Sequence, residues 1–372
     1  MASMNKTALV YCENQFGRLD GKTASGLVRY SETYTVVGVI DSSLAGKNSG
    51  KELGEEKNDI PIFANLEDAL SKLPEVPNCY IYGKAPLEAY ISKKERALIL
   101  EAMEHGMDII NGLHQFFSED REFVQKAARN HVRIKDIRKP PKLEDLHVFT
   151  DQRAKVTIPV IAVLGTDCAC GKRTTTVALN NSLNSLGINS ILIATGQSGL
   201  MQGAMYGAAI DALISQYVVG EIENAVIQAF ENESPDIILI EGQSAVSHPA
   251  FMSSIGILKG SKPDGVILQH PPARTYRCDF PNLKMPVVES EINLIEAISQ
   301  TKVMALALSH ENISDQEILR LVANYERRFQ LPTTDVLTHG CGKLVETLCT
   351  HFPKLRQKID RKNTEKTHAL AA

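Results

Sequence analysis

Short, almost wholly apolar runs punctuate the first third of this chain, at Thr7–Cys12, Tyr34–Asp41, Cys79–Tyr82 and Met107–Asn111. Runs of that length predict strands buried on both faces. Between and after them, Lys93–Gly106 and Ser118–His131 carry apolar residues at helical spacing. Strands that are apolar on both sides need covering on both sides, so the alternation predicts an α/β architecture with a parallel sheet.

The same rhythm returns after a break. Apolar runs at Ile158–Leu164, Ser190–Ala194, Asp236–Ile240, Gly265–Gln269, Met285–Val288, Lys302–Leu308 and Thr334–Leu337 predict strands. Helices are expected at Thr174–Leu186, Met205–Glu231, Glu291–Ser299, Asp315–Phe329 and Gly342–His351. The break is Ile137-Arg-Lys-Pro-Pro-Lys142, whose adjacent prolines oppose helix and whose charges favour solvent. The expected organisation is a Rossmann-like domain over 1–138, a linker over 139–157, a second parallel-sheet domain over 158–352, and a polar, basic tail over 353–372 that should fray. In the first domain Asp41 ends a strand where an acidic residue takes a ribose hydroxyl in dinucleotide sites. No Gly-x-Gly-x-x-Gly follows the first strand, however, and a scaffold or dimer surface is the favoured reading.

Composition narrows the functional classes. The 372 residues are 43% hydrophobic and 23% charged, enough for a sizeable core, and the net charge of −4 provides no basic footprint for nucleic acid. No apolar run approaches the ~20 residues that span a bilayer, and Met1–Thr7 lacks a signal-peptide core, so a cytoplasmic protein is expected. The 7 cysteines are odd in number and scattered, which suits a reducing compartment. Cys168-Ala-Cys170 lacks the spacing and second ligand pair of a zinc site, and no metal is expected.

The strongest chemical signal is Gly165-Thr-Asp-Cys-Ala-Cys-Gly-Lys172-Arg-Thr-Thr, directly after an apolar strand and opening a helix. Backbone N–H groups of such a loop converge on one point, the helix N-terminus adds positive potential, and the lysine brings a mobile charge, so the assembly suits phosphate. Gly165, Thr166, Cys168, Ala169, Cys170, Gly171, Lys172, Arg173 and Thr174 are the expected cofactor-binding residues. Five residues, rather than the usual four, separate Gly165 from Gly171, and Arg173 stands where Ser or Thr normally ligates Mg²⁺.

Other strands of the second domain also end in polar sequence, and in a parallel sheet those ends face the loop's side. Glu241 closes one strand, either as a site carboxylate or as a salt-bridge partner of Lys172. His248 follows in Glu241-Gly-Gln243-Ser-Ala-Val-Ser-His248-Pro, as a base, a positioning donor or a structural residue. Gln197 lies in the turn Thr195-Gly-Gln-Ser-Gly199. His270 shapes its proline-flanked loop; Arg274 and Arg277 beyond it either clamp substrate carboxylates or are solvated loop charges. Asp167 sits within the phosphate loop. His114, after a strand of the first domain, is placed toward the cleft between domains. Gln197, Gln243, Arg274, Arg277 and His114 are the expected substrate contacts; Glu241, His248 and Asp167 are the catalytic candidates.

The loop and the Ile240-Glu241-Gly-Gln segment resemble dethiobiotin synthetase and related P-loop amide-forming enzymes, which carry Thr where this chain has Arg173. A second likeness covers more of the chain, from the N-terminal domain to about residue 350. The Gly-Thr-Asp-Cys-Ala-x-Gly-Lys-x-Thr-Thr loop, the Thr-Gly-Gln-x-Gly turn and the Glu-Gly-Gln-x-x-x-Ser-His-Pro segment at 241–249 resemble a family whose characterised members are D-glutamate N-acetyltransferases. That resemblance implies acetyl-CoA as co-substrate, an acidic D-amino acid as acceptor, and a metabolic partnership with an N-acetyl-amino-acid racemase. A homo-oligomer is the default assembly. An ATP- and Mg²⁺-dependent kinase or ligase and a non-catalytic nucleotide-binding module remain the alternatives.

Overall fold

The computed structural model describes residues 6–54, 58–86 and 90–371. The chain divides into two compact units, one of Met1–Pro141 with Gly196–Ala204, the other of Lys142–Thr195 with Met205–Ala372.

The first unit is built on β1 (Lys6–Tyr11), β2 (Tyr34–Ile40), β3 (Ile62–Phe63), β4 (Cys79–Tyr82), β5 (Asp108–Asn111) and β6 (Ile134–Asp136). They form one parallel sheet in the order β3-β2-β1-β4-β5-β6. Along β1, Leu9 and Tyr11 enter one core with Tyr80, Ile99, Met103 and Phe123, while Ala8 and Val10 enter another with Leu27, Val39, Ile81 and Met201. Both faces of the strand are therefore dry, which is why its sequence reads as a continuous apolar run. The helix Lys93–Glu104 starts at a capping box of Ser92 and Glu95, and Arg121–Asn130 starts where the Asp120 carboxylate accepts the Glu122 and Phe123 N–H groups.

The segment 196–204 completes this unit. Its helix Gln197–Gln202 is held by Gln202 Nε2, which donates to the carbonyls of Gly26 (2.8 Å) and Tyr30 (2.9 Å), and by Ser198 Oγ at 2.8 Å from Thr23 Oγ1.

The second unit carries β7 (Val160–Gly165), β8 (Ser190–Ala194), β9 (Tyr206–Gly207), β10 (Ile237–Glu241), β11 (Gly265–His270), β12 (Val303–Leu308) and β13 (Thr333–Thr334). Their order is β13-β12-β11-β7-β10-β8-β9, all parallel. Alternate residues again serve two cores. Val160, Ala162 and Leu164 meet the helices Ser215–Glu233, Ser253–Ser261 and Val288–Ser299, whereas Ile161 and Val163 meet Lys172–Ser185 and Gly342–His351. Each fully buried Leu or Ile in these layers is worth about 1.5–3 kcal/mol.

Three elements depart from the sequence reading. Met285–Val288 is no strand; Val288 instead opens the helix Val288–Ser299, and its side chain packs in the core from the first turn. The helix expected from Met205 starts only at Ser215, because Tyr206–Gly207 pairs with β8 and Gly207, at φ 132°, comes so close that a Cβ would lie 1.9 Å from the Ala194 carbonyl. The tail is helical over Pro353–Ala371, and Leu355 and Ile359, one turn apart, are buried against the sheet's helices.

The expected linker divides as well. From Lys142 onward it belongs to the second unit, where buried Arg153 donates to Asp264 (2.8 Å), the Ser261 carbonyl (2.8 Å) and the Val156 carbonyl (3.0 Å). Among the described residues no helix is long and apolar enough to cross a membrane.

Candidate active site

β7 ends at Gly165 and the helix Lys172–Ser185 begins seven residues on, with the phosphate-loop sequence between them. Two glycines are required by contact and conformation. A Cβ on Gly165 would lie 2.7 Å from Cys170 Sγ and 2.8 Å from Lys172 Cδ, and Gly171 turns the chain into the helix at φ 104°. The additional loop residue is absorbed by Ala169 at φ 45° and by Cys170, which is buried and donates to the Asp167 carbonyl at 3.3 Å.

Cations line the carbonyl side of this loop. Lys172 Nζ donates to the Asp167 carbonyl at 2.5 Å, Arg274 Nη1 to the Cys168 carbonyl at 2.7 Å, Arg274 Nη2 to the Ala169 carbonyl at 3.2 Å and Arg277 Nη1 to the Thr166 carbonyl at 3.3 Å. In a trans peptide N–H points opposite to C=O, so this arrangement turns the amides of the loop the other way. The helix N-terminus then adds its own donors.

The hydroxyls after the lysine are spoken for in part. Thr175 Oγ1 donates to Gln269 Oε1 at 2.6 Å and Thr176 Oγ1 to the Lys172 carbonyl at 2.8 Å. Thr174 is half-buried at the helix start.

Asp167 is fully buried at the centre of the array. Its carboxylate takes Arg274 Nη1 at 2.8 Å, the backbone N–H of Cys278 at 2.9 Å and Arg277 Nη1 at 3.4 Å. Arg274 also pairs with Glu311, and Arg277 donates to Ser247 Oγ at 2.9 Å and to the Ser247 carbonyl at 3.1 Å. The two guanidiniums expected to clamp a substrate are thus engaged with the protein, fastening the phosphate loop to the 244–248 and 271–278 loops. Their partners in the phosphate loop lie roughly a hundred residues away in sequence, and the others 30 or more, so nothing local distinguishes a staple from a clamp.

His248 lies in the same cluster with its side chain wholly buried, stacked on Phe251 (centroids 4.7 Å apart). The Ala250 N–H donates to its Nδ1 at 3.3 Å, so the neutral ring carries its proton on Nε2, facing Asp167 Oδ1 at 3.8 Å and Cys168 Sγ at 3.9 Å. Asp167, Cys168 and His248 place one donor atom each within 4.8 Å of one another, a spacing compatible with a metal ion. The imidazole argues against one: a metal-binding ring donates from its other nitrogen, and here that nitrogen receives a proton donor.

Glu241, at the end of β10 beside the loop strand, is buried, and burial pushes its carboxyl up to about 7 against the lowering charges of Arg173 and Lys172. The Thr195 N–H reaches its Oε2 at 3.4 Å, and Thr195 Oγ1 donates to its carbonyl at 2.8 Å. Gly242 follows because a Cβ there would lie 2.1 Å from the Val163 carbonyl. Gln243 Nε2 is committed to the Thr195 carbonyl. His270 is kept neutral, its pKa lowered to about 4 chiefly by burial and next by Arg274, and its Nδ1 lies 2.9 Å from Thr166 Oγ1.

Two expected substrate contacts belong to the first unit. Gln197 belongs to the first unit, buried with its Nε2 at 3.5 Å from Thr23 Oγ1. His114 also belongs to that unit, exposed after β5. Sequence reading missed Gln269, Ser247, Cys278 and Glu291. The last is a buried carboxylate that accepts the Val246 N–H at 2.6 Å and so fixes the loop leading to His248. Gln269 alone carried a local signal, as a polar residue near the end of an apolar strand.

Comparison with known proteins agrees with this architecture. Residues 147–345 match the P-loop domain of DUF1611, a domain of unknown function, and residues 42–140 match its Rossmann-like N-terminal domain. A DUF1611 family protein from Anabaena variabilis, known from a crystal structure, superposes with a TM-score of 0.86 at 27% identity, covering 93% of this chain and 100% of that one. The D-glutamate N-acetyltransferase of Tritonibacter scottomollicae is 27% identical over 72% of this chain and 80% of its own length. That of a Pseudoalteromonas species is 29% identical over 73% and 81%. With both domains matched in order along the chain, this protein belongs to the DUF1611 family.

Proposed function

We propose that this protein is an N-acetyltransferase that moves the acetyl group of acetyl-CoA to the amino group of D-glutamate or a similar acidic D-amino acid. The names of its relatives support the reaction class. The loop Gly165–Lys172 offers amides and a helix start to the CoA phosphates, and Lys172 exchanges the Asp167 carbonyl for a phosphate oxygen when the donor binds. Arg173 at the place of the metal-ligating hydroxyl suits a donor whose phosphates are held and not cleaved.

The observation that carries the chemical step is Glu241, with its pKa near 7. A free amino acid arrives as an ammonium ion, and only the neutral amine attacks a thioester. Glu241, half ionised near neutral pH, accepts that proton directly or through water. The amine nitrogen then bonds to the acetyl carbon, the C–S bond breaks, and the CoA sulfur leaves as a thiolate that takes up the second proton shed by the nitrogen as the amide forms. His248 presents an N–H beside the loop, and Asp167 fixes the loop's shape. We place the reaction in the cytoplasm, in a homo-oligomer working beside an N-acetyl-amino-acid racemase.

The test is thiol release from acetyl-CoA across amino acids of both hands, with and without EDTA. Turnover with D-glutamate that survives EDTA supports the proposal. Activity that needs Mg²⁺ and ATP assigns the kinase or ligase class instead.

A further inference from the structure

We propose that Cys168 and Cys278 form a reversible disulfide that shuts the phosphate loop, making this loop a redox modification site. The consequence for donor binding rests on the acetyl-CoA reading above; the disulfide itself does not.

Of the seven cysteines, Cys168 and Cys278 are the two that are partly exposed; Cys12, Cys79, Cys170, Cys341 and Cys349 are buried. The pair is 110 residues apart in sequence, yet Cys278 Sγ donates to the Cys168 carbonyl at 3.5 Å. The backbones are held together around them, by the Cys278 N–H on Asp167 (2.9 Å) and by Arg274 on the Cys168 and Ala169 carbonyls. Cys170 is not the partner, because its sulfur is turned beneath the loop toward the Asp167 and Gln269 carbonyls.

The two thiols are chemically unequal. Donation from Cys278, opposed by burial and reinforced by His248 and the charge of Lys172, holds the Cys168 thiol well below the usual thiol range, while the same contact pushes Cys278 up. A low-pKa, partly exposed thiolate beside a resolving thiol is the arrangement of redox-sensing cysteines. With hydrogen peroxide as oxidant, the Cys168 thiolate attacks one peroxide oxygen and the O–O bond breaks. Hydroxide leaves and is protonated to water, and Cys168 becomes a sulfenic acid. The Cys278 sulfur then attacks the Cys168 sulfur, the S–S bond forms, and a second water departs. Two thiols lose two electrons and two protons, and peroxide becomes two waters. Closing the bond to about 2.05 Å draws the middle of the loop toward Cys278, away from the shape in which its amides converge.

The experiment treats the full-length protein with peroxide, blocks free thiols, and maps the peptides. It then measures acetyl-CoA affinity by calorimetry and amide exchange over residues 166–171. The expected results are a peptide joining Cys168 to Cys278, slower exchange in the loop, and an affinity loss of at least about tenfold that dithiothreitol reverses. Cys278→Ala and Cys278→Ser should form no cross-link and instead carry a trappable sulfenic acid on Cys168. Absence of the cross-linked peptide, unchanged loop exchange once it has formed, or donor affinity within about twofold of the reduced protein overturns the proposal. If the reduced protein does not bind acetyl-CoA at all, the functional reading has failed, and the peptide map and exchange still decide the disulfide.

Discussion

The loops that follow β1 and β7 occupy the same place in two parallel sheets and are built with opposite charge. β1 lies between β2 and β4, and β7 between β10 and β11, so each sits where chain connections leave to both sides and a crevice opens at the carboxyl edge. After β1, two carboxylates fill that edge. Asp41 accepts the N–H groups of Phe16 (3.0 Å) and Ser43 (3.1 Å), and Glu13 accepts that of Ser42 (2.8 Å). Gly21 closes the loop on itself, with its would-be Cβ only 1.9 Å from the Gln15 carbonyl. After β7, Lys172, Arg274 and Arg277 hold the carbonyls and the amides are turned outward. Position in the sheet alone does not set the character of such a loop; the proposed phosphate site rests on the charge that satisfies it.

The largest test of that contrast removes a cation from beneath the second loop. Arg274→Ala leaves the fully buried Asp167 short of its nearest partner, and breaking a buried pair in this way costs about 3–5 kcal/mol. Urea unfolding should show the loss. A midpoint within experimental error of the parent protein would mean that the loop is not held by this staple.

Next comes the carboxylate beside the loop. Glu241→Gln should lower kcat by about 10²-fold with acetyl-CoA still bound. In the parent, turnover should rise as pH passes through about 7, where Glu241 ionises. Stability should move in the opposite sense. The pKa is raised from 4.5 to about 7, so the unfolded chain releases this proton first and the fold weakens between those values as pH rises, by about 3 kcal/mol in all. Glu241→Gln should flatten that slope, as read from melting temperatures across the range. Full turnover in the variant would move the proton acceptor to another group.

Lys172→Ala should weaken acetyl-CoA binding by about one to two decades, the worth of a charge-assisted phosphate contact, and calorimetry measures it directly.

What the sequence disclosed depended on the range of the interaction. Strands apolar on both faces were legible, and Cys79–Tyr82 and Ser190–Ala194 coincide with β4 and β8 to the residue. The phosphate loop was legible because glycine spacing, lysine and helix start are neighbours in the chain. The helix Pro353–Ala371 was missed because only Leu355 and Ile359 anchor its described part, too sparse a stripe to read as amphipathic. That the segment of Gln197 packs with the first unit was not legible, because it is recruited by Thr23, Gly26 and Tyr30, more than 170 residues earlier. The roles of Arg274 and Arg277 turned on Asp167 and Glu311, and no local pattern announces such partners.

The smallest expected effect belongs to the first loop, and it sharpens the comparison from the other side. Asp41 is fully buried and uses its two oxygens for different donors, Oδ2 for the Phe16 N–H and Oδ1 for Ser43. In Asp41→Asn one oxygen becomes an NH₂ group that must face a donor. A buried mismatch of that kind costs about 1–2 kcal/mol, visible as a modest fall in the urea midpoint. Acetyl-CoA affinity and kcat should stay within about twofold, because both carboxylate oxygens are spent on their own loop. A nucleotide site in this unit would behave differently, since an acidic residue reading a ribose hydroxyl loses affinity when neutralised. A clear drop in CoA or nucleotide affinity with Asp41→Asn would therefore show that the β1 edge binds ligand after all, and would break the contrast between the two loops.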